Sequence, residues 1–128
     1  MDNPNQAQGE PIYRPVMLRR DGLKPFRFQG EKIGGVSRWV IAKGNDNVER
    51  LFETSARLYN TSHGQVVVGV AVYNRTDEGH EVREAFKADS LPKLVETLKA
   101  KSSALDDDML AELFEDTEVE DLLVEDVE

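Results

Sequence analysis

The side chains that could do chemistry in this chain are two histidines, scattered hydroxyls and many carboxylates, because the 128 residues include no cysteine. Thiolate nucleophiles, disulfides and Cys-based zinc sites are therefore excluded. His63 and His80 lie in polar turn-like segments on either side of residues 65–73. That run reads as a strand, and a rise of about 3.3 Å per residue would hold the two rings about 30 Å apart, too far for one metal ion. Asp106, Asp107 and Asp108 resemble a cation cluster, but the sequence around them lacks the alternating oxygen ligands, sixth-position Gly and twelfth-position Glu of a calcium loop. Neither a dinucleotide fingerprint, a phosphate-binding Gly-Lys-Ser/Thr loop nor a Gly-x-Ser-x-Gly elbow occurs. No catalytic residue, metal ligand or cofactor is assigned, and the chain reads as a non-enzyme.

Charge is the stronger signal. Residues 102–128 carry twelve Asp or Glu and no Lys or Arg, whereas residues 1–101 carry sixteen basic against thirteen acidic side chains. The net charge of -9 thus divides into a mildly basic body and a strongly acidic C-terminal segment. Like charge in a block meets water or a basic partner rather than itself.

The elements that would position these groups follow from periodicity and turn chemistry. Residues 1–11 are polar and rich in Asn, Gln and Pro, and are expected to form a disordered arm. Alternation over 13–19 and 24–33, joined by Asp21-Gly22, predicts a hairpin. Gly34-Gly35 is expected to break the second strand, as a bulge or a turn, and 37–43 to form another. Residues 51–60 fit both a helical stripe and an alternating strand; the need of the following segment for a partner favours strand. Residues 65–73, rich in β-branched side chains on both faces, read as a central strand. A further alternating strand covers 80–88. Ser90 as N-cap, Pro92 in the first turn, and Leu91, Leu94, Val95 and Leu98 at helical spacing predict a helix ending near Lys101. The expected architecture is α+β: an antiparallel meander of four or five strands packed on one C-terminal helix, over residues 12–102. An acidic, partly helical segment would follow over 103–128, capped by Asp106–Asp108. A single Trp in such a domain is expected in the core, so Trp39 and Tyr59 are read as packing residues before interface anchors.

The candidate sites come from the same pattern. Met109, Leu110, Leu113 and Phe114, then Leu122 and Leu123, recur at helical spacing on the acidic background. They suggest a stripe that docks on a protein partner, although a helix pair docked on the sheet would use them equally well. The favoured function is a non-enzymatic interaction or regulatory protein that acts through this segment. Arg19, Arg20, Lys24 and Arg27 cluster with Phe26 and Phe28 near the first hairpin and support an alternative: a single-stranded nucleic-acid-binding domain with a self-masking acidic tail. A second alternative is an acidic mimic of nucleic acid that inhibits a DNA-binding enzyme. No run approaches the 18 or more apolar residues of a membrane span, and no secretory leader is evident, so the cytoplasm is the expected location. Exposed sheet edges make a homodimer possible.

Overall fold

The structure, a computed structural model, describes residues 10–127. It is an α+β fold with a five-stranded antiparallel sheet in simple meander order: β1 (Arg14–Arg20), β2 (Leu23–Lys43), β3 (Glu49–Thr61), β4 (Val66–Asn74) and β5 (Gly79–Ala88). Two helices follow, α1 (Leu91–Lys101) and α2 (Asp107–Leu113), then a 3-10 turn at Glu120–Leu122. The expected disordered arm falls mostly outside the described residues.

Local chemistry explains the boundaries. Asp21-Gly22 turns β1 into β2, with Arg20 opposite Leu23 and Gly22 at φ +73°, a conformation that a side chain would strain. Ser90 caps α1 by accepting from the Lys93 amide, Pro92 lies in its first turn, and Lys99 and Lys101 face the negative end of its dipole. Asp106 caps α2 through the Met109 amide at 2.8 Å, with Asp107 and Asp108 in the first turn.

Of the bulge or turn expected at Gly34-Gly35, the structure forms the bulge, and it does not end β2. The strand runs on for 21 residues with one register shift between Lys32 and Gly34, because β3 pairs with it continuously from Gly30 to Lys43. A Cβ on Gly34 would overlap the Leu113 carbonyl oxygen. This Gly pair therefore serves close helix approach and a bulge, not a stop. The helical layer also contains more than the single expected helix, since α2 packs beside α1 on the same sheet face and touches β2 and β3.

The alternation of each strand sends side chains to two different apolar clusters. On the helix side, Val36, Ala56, Leu58, Val66, Val68 and Val70 meet Leu94, Val95 and Leu98 of α1 and Met109, Leu110, Leu113 and Phe114 of α2. On the other side β1 and the first part of β2 fold back over the sheet. Leu18 packs with Tyr59, Val67 and Ala85, flanked by Val16, Phe26 and Phe28, and sits against Gly69. The hairpin tip is pinned to β5: the Asp21 amide donates to the Arg83 carbonyl (2.8 Å), and the Arg83 amide donates to the Asp21 carboxylate (2.8 Å).

Candidate interaction surface

The curl of β1 covers only part of β2. Pairing between them runs from Leu23 to Gly30, while β3 accompanies β2 to Lys43. Residues 37–43 therefore form the outer strand of a projecting hairpin. Among the described residues no strand pairs with their outer edge; the one further backbone contact is the Arg38 guanidinium on the Ser37 carbonyl, 3.0 Å. Trp39, Val40 and Ile41 in this stretch are 54%, 53% and 66% exposed. Exposed edges usually carry charge, proline or a bulge that discourages pairing. Here nothing charged interrupts Trp39–Ala42.

Ion pairs and hydrogen bonds tie the hairpin to its neighbours along its length. At its tip Arg50 joins Asp46 (2.6 Å) and Asp77 (2.6 Å), and the Arg75 amide donates to the Leu51 carbonyl (2.8 Å). The Arg50 guanidinium, with help from the Val48 amide, pulls the Asp46 carboxyl down to about 2. Midway, Glu53 accepts from the Arg75 Nε (2.9 Å) and the Ser37 hydroxyl (3.0 Å), and Arg75 holds its carboxyl below the usual range. At the base Arg38 donates to Asp108 and Glu112 of α2, both at 2.8 Å, and these carboxylates push its pKa upward.

Across the face opposite the helices, four strands place Trp39, Glu53, Tyr73 and His80 in one cross-strand row. The Arg75 guanidinium lies over both Trp39 (5.3 Å) and Tyr73 (4.9 Å), and His80 meets Tyr73 edge-on at 4.9 Å. Two of the clefts on this side of the sheet hold residues singled out in the sequence. One of about 550 Å³ is lined by Phe26, Arg27, Phe28, His63, Gln65 and Lys87 among others. The other, of about 310 Å³, includes Arg19, Arg57, His80 and Arg83. Among the described residues no three His, Asp or Glu gather as a metal site.

The residues singled out in the sequence fall differently. Met109, Leu110, Leu113 and Phe114 are at most 3% exposed and form an integral layer beneath the sheet, so they are not presented to a partner in this structure. Of the same stripe, Leu122 is exposed and Leu123 is half-buried against the core. The basic cluster of the first hairpin is dispersed. Arg20 stacks on Phe26 at 4.2 Å, Lys24 is exposed near the turn, and Arg19 and Arg27 line separate clefts. Phe26 and Phe28 turn inward beside Leu18, as alternation implies. Tyr59 is buried at 7%, whereas Trp39, read as a core residue, is exposed. The signal for Trp39 was its neighbours: three consecutive large apolar residues point to both faces of a strand, and a two-layer fold covers both faces only near its centre.

No family model matches the chain, and neither a curated protein nor a solved structure does. Among the described residues no helix is long and apolar enough to cross a membrane.

Proposed function

We propose that this chain is a non-enzymatic interaction module that receives an extended strand of a protein partner on the outer edge of β2. One observation carries the reading: an edge to which no strand among the described residues is paired coincides with the exposed Trp39-Val40-Ile41 run. Strand addition uses the backbone for affinity and alternate side chains for specificity. The ion pairs at Arg50, Glu53 and Arg38 hold the edge in place before binding, which lowers the ordering cost of association. This keeps the interaction role expected from composition but moves it from the acidic segment, whose apolar stripe is occupied by the sheet. A cytoplasmic setting suits a cysteine-free chain. The test is affinity capture with the parent and with Ile41→Lys, which places a charge on the edge without touching the core. Partners recovered by the parent and lost with the variant, at unchanged circular dichroism, are expected. Identical recovery by both would refute the reading. Trp39, the sole tryptophan, should shift its emission to shorter wavelength when a captured partner is titrated in.

A second reading rests on Arg75. Its stacking between Trp39 and Tyr73, with Arg57 of β3 and Arg83 of β5 lining one cleft, supports contact with the bases and phosphates of single-stranded nucleic acid. Quenching of Trp39 by an oligonucleotide that weakens steeply with salt is the expected sign. No quenching at low salt removes it.

A further inference from the structure

The same edge is complementary to itself. In an antiparallel continuation of a sheet, residues directly opposite each other place their side chains on the same face. When the two strands are copies related by a two-fold axis, the axis must therefore pass through a residue position, which leaves few registers. Centred on Arg38, the pairing sets two guanidinium groups face to face. Centred on Trp39, it sets Arg38 against Val40 and leaves Ile41 opposite Ser37. Centred on Ile41, it sets Trp39 against Lys43. Centred on Val40, it sets Trp39 against Ile41 twice and Val40 against Val40, with Arg38 opposite Ala42 and Ser37 opposite Lys43. This last register alone matches every exposed large apolar residue of the run with another and opposes no like charges.

We propose that a second copy of this chain pairs with the outer edge of β2 across a two-fold axis at Val40, joining two five-stranded sheets into one of ten strands. The inference rests on the reading of this edge as a docking strand and names its occupant. The contact is isologous, so it closes on itself and leaves no further edge of the same kind. Both faces gain cover. Trp39 and Ile41 of the two copies form one apolar cluster on the side of the Arg75 row, and the two Val40 side chains meet on the helix side. The two Arg38 positions would stand about 14 Å apart along the strands, from four residues at ~3.4 Å, which leaves room for an α2 above each.

The absence of cysteine makes the register testable on the full chain. The Val40→Cys variant places two thiols on the axis, with Cα atoms about 4.5–5.5 Å apart, inside the span of a disulfide. Ser37→Cys places its two thiols about 20 Å apart in the same register, from six residues of strand rise. The expected results are a dimer mass for the parent in analytical ultracentrifugation and near-complete oxidative cross-linking of Val40→Cys but not of Ser37→Cys. Val40→Lys, which faces two ammonium groups across the axis, should sediment as a monomer with an unchanged circular dichroism spectrum. A parent that stays monomeric at every concentration, or a Ser37→Cys variant that cross-links as well as Val40→Cys, overturns the proposal. A monomeric parent whose Ile41→Lys variant still loses captured proteins rejects the second copy alone and leaves the docking edge standing.

Discussion

Two apolar runs in this chain stand on charged or polar backgrounds, and the fold treats them in opposite ways. Met109, Leu110, Leu113 and Phe114 lie in the most acidic part of the sequence yet are sealed beneath the sheet. Trp39, Val40 and Ile41 lie in the basic body, read as ordinary strand interior, and stay open to water. The difference comes from reach. Helix α2 lands over Gly34, where the missing Cβ admits the Leu113 carbonyl, and its acidic face turns outward to meet Arg38. Strand β1 has 7 residues and β2 has 21, so the cover that β1 provides stops well short of Trp39. Availability to a partner thus depends on which neighbour is long enough to cover a residue, not on local charge.

The contrast can be broken from either side. Phe114→Ala should cost about 3–5 kcal/mol in urea unfolding, because the ring is fully buried and its removal leaves a cavity between α2 and the sheet. A cost below about 1 kcal/mol would mean that the α2 layer is not integral and would return its stripe to the list of docking surfaces. Asp106→Ala removes the side-chain acceptor for the Met109 amide and should cost about 1 kcal/mol, with Asp106→Asn recovering most of it.

Glu84 offers a smaller, pH-dependent effect. Burial pushes its carboxyl upward, so the folded state holds that proton more tightly than the unfolded chain. Stability from this group is present at low pH and is lost as pH rises through the raised value. Glu84→Gln should therefore raise Tm slightly at pH 7, and the gain should shrink as pH falls below the ordinary carboxylate range. A gain that is the same at both pH values would assign the effect to something other than ionisation. The opposite sign holds for Asp46, whose partnership with Arg50 is lost as pH falls from the ordinary value toward about 2. The smallest expected change closes the comparison. At a concentration low enough to keep the chain monomeric, Ile41→Lys should alter unfolding free energy by no more than about 0.5 kcal/mol, as a substitution at a position exposed in the single chain. A large loss of stability in the monomer would place Ile41 in the core of the single chain and overturn its status as an edge residue open to a partner.

Much of the fold was legible because its signals are local. Asp21-Gly22 needs only its own backbone freedom to turn a hairpin. Ser90 and Asp106 need only the amide three residues on to cap a helix. The alternation of Phe26 and Phe28 against Arg27 assigns their faces without reference to any partner. Residues 51–60, balanced between helix and strand, were resolved by the requirement that the strand after them be paired, and β3 meets it. Gly34-Gly35 was legible as a bulge or a turn, and only the ladder to β3 decided for the bulge: a glycine pair that stops an isolated strand can continue one that is paired to a long neighbour. The candidate site was the least legible part. The basic residues near the first hairpin are close in sequence but divided between clefts by the curl of β1 over the sheet. Trp39 and Tyr73, two strands apart in one row with Arg75 over both, are far apart in the chain.

By itself the sequence determined the α+β class, the caps and turns, the charge division and which residues are apolar, because each follows from backbone preference and side-chain transfer from water over a few residues. Only the tertiary structure decided which apolar residues are hidden. Burial depends on the relative lengths of paired strands and on where a helix settles, and these are properties of contacts between distant segments that no short window of residues contains.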